Sequence, residues 1–145
     1  MKIKLIVEDF YGGPFFIDVI QRLKEANLVN KNLIIPKPKH LPADCNQKLD
    51  EILEFIDNKV DRIIIVLDAD GPRNFKDRYE RANSHIPKGM KTPVKIVLAE
   101  YEIEEWICIS KNLKWKQSKP SEELNFDKLQ KNCRSFKAFL NALTP

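Results

Sequence analysis

Three acids in this 145-residue chain have the type and setting to do chemistry: Glu8, Asp68 and Asp70. Glu8 ends the run Ile3-Lys4-Leu5-Ile6-Val7-Glu8. The two aspartates close the run Ile63-Ile64-Ile65-Val66-Leu67-Asp68-Ala69-Asp70. Runs this apolar and without alternation suit strands covered on both faces, as in a parallel sheet. Ligands bind beyond the carboxyl ends of such strands. If the two strands are neighbours, the three carboxylates meet at one sheet edge. There they repel one another unless a cation lies between them. Carboxylate oxygens are hard ligands, so Mg2+ or Mn2+ is the cation expected. An ion held this way activates water and offsets charge on a phosphate.

The elements that must position these acids alternate along the chain. The first strand ends at Glu8, and Gly12-Gly13-Pro14 reads as a turn. Phe16, Val19, Ile20 and Leu23 recur at helical spacing within Phe15 to Ala26. Asn32 to Pro36 reads as a second strand, followed by a loop that Pro36, Pro38 and Pro42 hold extended. Asp44 is a candidate cap for a helix running to about Lys59, with Leu49, Ile52, Leu53 and Ile56 on one face. Ile63 to Leu67 is the third strand, Asn74 to His85 a polar helix and Pro93 to Ala99 the fourth strand. Glu102 to Ser110 reads as a short helix. Asn125 to Leu143 reads as one C-terminal helix, with Phe126, Leu129, Cys133, Phe136, Leu140 and Leu143 on one side. The order βαβαβαβαα predicts a doubly wound, Rossmann-like α/β fold with a mainly parallel four-stranded sheet. No repeat or linker divides the chain, so residues 1–145 are expected to form one domain, its core within about 1–110 and a helical segment at about 121–143.

Composition narrows the class. With 32% charged and 43% hydrophobic residues, the chain is ordinary for a globular protein. The net charge of +4 permits an anionic partner without requiring one. No apolar run approaches the ~20 residues of a membrane span, and Met1 leads straight into a strand without a signal-peptide pattern. Cys45, Cys108 and Cys133 are widely spaced and form no CxxC pair, which points away from structural zinc and towards a reducing cytoplasm.

Glu8 followed by Asp68-Ala69-Asp70 resembles the Toprim domain of topoisomerases, bacterial primases and the overcoming-lysogenisation-defect nucleases. The likeness is nearest to small stand-alone Toprim-like proteins related to those nucleases. They carry a Glu-Ile-Glu-Ala-Trp-Leu segment after the last strand, and this chain has Glu102-Ile103-Glu104-Glu105-Trp106-Ile107. The resemblance spans roughly residues 3 to 110. It implies a Toprim-like domain that binds one or two Mg2+ or Mn2+ ions through Glu8, Asp68 and Asp70. It also implies phosphodiester chemistry on DNA or RNA, as a nuclease. Where the family carries a second acid four residues after the first, this chain has Gly12. The resemblance makes Glu104 the replacement, approaching the acids while Glu105 faces solvent.

Other readings stay open. A non-catalytic module could keep the fold and bind nucleic acid or a partner protein, and a second copy could complete the site. Leu5-Ile6-Val7-Glu8-Asp9 also resembles the first strand of a receiver domain, with Asp68 as phosphoacceptor. Asp68-Ala69-Asp70-Gly71 resembles the nucleophile loop of haloacid-dehalogenase-like phosphatases. The plain alternative is that the acids are solvated strand ends. Arg73, Lys76, Arg78 and Arg81 follow the acids and could hold phosphates, or else form a solvated face with Asp77 and Glu80. Trp115, between Lys114 and Lys116, suits base stacking or a partly buried anchor. Trp106 reads as core, and His40 and His85 lack ligand spacing.

Overall fold

The computed structural model describes residues 1–8, 12–41, 47–103, 105, 106, 110 and 124–145. Four strands form one all-parallel sheet: β1 (Ile3–Val7), β2 (Lys39–His40), β3 (Arg62–Asp68) and β4 (Val94–Ala99), in the order β2-β1-β3-β4. The fold is the expected doubly wound α/β architecture. Helix α1 (Gly12–Glu25) follows β1, α2 (Gln47–Ile56) follows β2, and a 3-10 turn at Pro72–Asn74 leads into α3 (Phe75–Ser84) after β3. Two helices close the chain, α4 (Phe126–Asn132) and α5 (Arg134–Ala142).

Each sheet face has its own core. Phe16, Val19, Ile20 and Leu23 of α1 pack with Ile3, Leu5 and Val7 of β1, together with Leu129, Phe136 and Phe139 from the C-terminal helices. Leu49, Leu53 and Ile56 of α2 pack against Ile6, Ile63, Ile65 and Leu67, with Ala82 of α3. Thus α1 and α2 leave the sheet on opposite sides. The strand order turns between β1 and β3, and this switch point is where open α/β sheets form their crevice.

Three local expectations are corrected. The second strand is Lys39–His40, and the segment expected as a strand contributes only an isolated bridge from Ile34 to Lys2. Pro36 and Pro38 interrupt the ladder between these points, because proline has no N–H to donate. Gly12-Gly13-Pro14 is the first turn of α1 itself. Proline is tolerated there because first-turn N–H groups have no intrahelical acceptor. The single C-terminal helix is two, broken at Cys133, whose backbone is extended (φ −118°, ψ 109°). The break aims Ser135, Phe136 and Phe139 at Trp106.

Trp106 is fully buried. Its ring centroid lies 5.8 Å from Phe16, 5.2 Å from Phe136 and 5.3 Å from Phe139. Its indole N–H donates to the buried Ser135 hydroxyl at 2.8 Å. A buried indole needs such a partner. Trp106 is therefore core, as its spacing suggested. Glu105, Trp106 and Ser110 are helical, consistent with a short helix after β4. Among the described residues, no helix is long and apolar enough to cross a membrane.

Candidate functional site

Glu8 and Asp68 stand side by side at the carboxyl ends of β1 and β3, because the parallel register pairs Val7 with Val66. One oxygen of Glu8, Oε2, accepts the backbone N–H of Asp68 at 2.8 Å. The other, Oε1, is ion-paired with the Arg78 guanidinium, both side chains being only 13% exposed. Arg78 reaches back from α3 and also donates from Nε to the Asp68 carbonyl at 3.1 Å. The Asp68 carboxylate in turn accepts the backbone N–H of Ile103 at 2.9 Å. So Asp68 ties β3 to the segment that follows β4, and Arg78 ties α3 to both central strands.

Asp70 is exposed and lies two residues farther on. Its backbone takes a left-handed conformation (φ 56°), which aspartate tolerates better than most residues. Gly71 follows at φ 124°, where only glycine is at ease. The turn is pinned from the β4 side. Ala69, Asp70 and Gly71 donate their N–H groups to the carbonyls of Ala99, Tyr101 and Glu100 at 2.9, 3.0 and 2.7 Å. Rotation at Asp70 and Gly71 lifts the second aspartate away from the sheet line.

The sequence-predicted residues fall into distinct places. Glu8 and Asp68 are brought together. Asp70 belongs to the same loop, with its side chain making no hydrogen bond or ion pair among the described residues. Arg78 is bound to Glu8. Lys76 is exposed and sits 4.0 Å from Glu80 one turn on, the solvated pairing that competed with phosphate binding. Arg73 is exposed on the 3-10 turn. Glu104 and Trp115 lie outside the described residues, as do Asp9, Asp44, Cys45, Cys108 and Ile107.

Glu105 does not face solvent, which corrects that expectation. It is half-buried, and its Oε1 is buried without a hydrogen-bond partner. Burial pushes its carboxyl from 4.5 up to about 7, and the charge of Glu100 adds to the rise. The backbone N–H groups of Tyr101 and Glu100 act the other way. Burial likewise raises the Cys133 thiol, with Glu105 contributing. Glu105 is carried there beside Trp106, which docks on Ser135, Phe136 and Phe139 of α5.

The donor set, three carboxylates, has the chemistry a hard divalent cation wants. Yet both Glu8 oxygens already have partners. Among the described residues, no three His, Cys, Asp or Glu side chains are gathered closely enough to hold a metal ion. An ion here would rest on Asp68 and Asp70, and Glu8 would join only if Arg78 released it. Searches of protein-family models, of curated proteins and of solved structures find no match to this chain.

The Glu8–Arg78 pair is the feature that sequence reasoning missed. The sequence marks Arg78 only as a cation that follows the acids. Nothing in its spacing from Asp68 reveals that α3 turns back over the strand ends.

Proposed function

We propose that this protein is a Toprim-like module acting on nucleic acid, with Mg2+- or Mn2+-dependent phosphodiester hydrolysis as its activity. The observation supporting this reading is that Glu8 and Asp68 adjoin at the switch point of the sheet, with the exposed Asp70 on the same loop. When bound, the ion would supply an activated water and offset charge on the phosphate. Asp68 and Asp70 are its ligands in this reading. Glu8 shares the ion or serves as general acid/base. Arg73 stands nearby for a phosphate. A reducing cytoplasm is the expected setting.

A second reading is supported by the ion pair itself. The guanidinium occupies one Glu8 oxygen and the Asp68 N–H the other, so Glu8 is engaged without a metal. That suits a module that binds nucleic acid, alone or with a partner chain, without cutting it.

Mn2+-dependent nicking of plasmid DNA, run alongside cleavage of RNA, tests both. Cleavage by the wild type that Asp68→Asn abolishes supports the nuclease. Binding of a labelled oligonucleotide with no cleavage supports the module. Neither cleavage nor binding sinks both. Mg2+-induced rise in melting temperature is an independent readout. An ion at a hundred times its dissociation constant adds about 2.7 kcal/mol, and Asp70→Asn is expected to remove that rise.

A further inference from the structure

Of the cations directly after the acids, Arg78 is held by Glu8 and Lys76 pairs with Glu80 in solvent, and a second basic cluster lies on the β2 side of the sheet. Lys2 and Lys4 lie two residues apart on the β1 line, so they share the face of Ile6, which belongs to the α2-side core. Lys39 pairs with Ile6 across the parallel ladder and shares that face, and Lys37 precedes it by two. The register therefore sets Lys2, Lys4 and Lys39 on one side of the sheet, and the Lys4 ammonium, donating to the Lys37 carbonyl, brings Lys37 beside them. Lys2, Lys37 and Lys39 are exposed and Lys4 is half-buried. None of the four forms an ion pair with a described residue. The Asp61 carboxylate accepts the Lys2 backbone N–H at 2.6 Å.

Edge lysines commonly serve to block strand-to-strand aggregation. Lys39, on the edge strand, suffices for that. Lys4 lies between the Lys2–Ile34 bridge and the Ile6–Lys39 pair, where β1 has no ladder partner on that side. Its ammonium donates to the Lys37 carbonyl, bridging the gap where the prolines interrupt the ladder. Burial, then the charges of Lys39 and Lys2, lower its pKa. Such crowding of like charge is unfavourable in the free protein and is relieved by a polyanion.

We propose that Lys2, Lys4, Lys37 and Lys39 form a phosphate-backbone track that leads a nucleic-acid strand along the β2 edge to the site at Glu8 and Asp68. The inference rests on the nucleic-acid reading above and names the surface that serves it. The track runs from Lys2 at the foot of β1 to His40, which pairs with Val7 one residue before Glu8. At about 3.3 Å per residue that is roughly 17 Å, a length that spans several phosphates. The contacts are with phosphate, so they position a strand without reading its sequence.

The test is fluorescence-anisotropy titration of a short labelled oligonucleotide over a range of salt. The triple variant Lys2→Gln/Lys37→Gln/Lys39→Gln leaves Lys4 and its carbonyl contact in place. The control is Lys128→Gln/Lys131→Gln on α4, against the opposite sheet face. Melting temperatures of both variants verify folding. The triple variant is expected to lose about two units of the log–log salt slope on single-stranded DNA, since each neutralised phosphate contributes about 0.7. The control is expected to keep the wild-type slope. Equal loss in both variants, or none in the triple variant, overturns the track while leaving the nucleic-acid reading intact. No binding by the wild type overturns both. Equal binding of poly-glutamate by the wild type overturns the assignment to nucleic acid.

Discussion

Two glutamates near the carboxyl end of the sheet meet opposite fates. Glu8, on β1, has a backbone N–H on one oxygen and a guanidinium on the other. Glu105, on the short helix beyond β4, has one oxygen buried without a partner, and its carboxyl titrates at about 7. Burial is costly to a carboxylate in both places. A partner from a third element, α3, offsets that cost at Glu8. At Glu105 the backbone N–H groups of Tyr101 and Glu100 offset only part of it, and Oε1 is left without a partner. The lesson is that the charge state of an acid here follows from which helix packs over it. Its place at a strand end does not decide it.

The sharpest way to break the comparison is to remove the guanidinium. Arg78→Met strands Glu8 and is expected to cost about 3 kcal/mol in urea unfolding. The double variant Arg78→Met/Glu8→Gln should recover most of that loss. If the single variant is as stable as wild type, the pair contributes little and the contrast collapses. The same variant sharpens the functional reading. With Glu8 released, added Mg2+ should raise the melting temperature more than it does in wild type. An equal rise in both proteins would argue that Glu8 is no ligand.

A smaller effect is expected under the second glutamate. Ser135→Ala leaves the Trp106 indole N–H unsatisfied and should cost about 1–3 kcal/mol, visible as a lowered urea midpoint with an unchanged slope. A neutral result would mean that the indole finds another acceptor.

The smallest effect tests Glu105 directly. Its folded pKa lies above its unfolded value, so the native state binds more protons between about 4.5 and about 7. The stabilisation is fully present below about 4.5 and is lost as pH rises through about 7. Because Glu105 is only half-buried, the effect is discounted for solvent screening. Glu105→Gln should raise the melting temperature at pH 8 by about 2–4 °C and leave it little changed at pH 4. A variant whose pH–stability profile overlays the wild type would show that Glu105 does not carry this titration.

Much of the architecture was legible in the chain. The buried positions of α1 (Phe16, Val19, Ile20 and Leu23) follow their spacing. So do Leu49, Leu53 and Ile56 of α2, the apolar residues of β1 on either side of Lys4, and the unbroken run Ile63 to Leu67 of β3. These patterns are local, and burial of one face enforces them. The edge strand was misplaced, because Asn32 to Pro36 is more apolar than Lys39–His40, while ladder pairing is decided by the neighbour strand. The break at Cys133 was hidden for a related reason. The apolar spacing of Asn125 to Leu143 suits one straight helix, and only docking on Trp106 calls for two.

The candidate site divides the same way. By itself the sequence determined that acids end two buried strands, because apolar runs without alternation admit few other placements. It determined that Trp106 belongs to the core. Tertiary structure alone decided that β1 and β3 are neighbours, which sets Glu8 against Asp68. It decided that α3 folds back so that Arg78 reaches Glu8, and that Glu105 turns inward. It also gathered Lys4 and Lys39 on one face through the parallel register. Each of these contacts joins residues far apart in the chain. Chain spacing encodes which face of an element is apolar, but not which distant side chain will meet it.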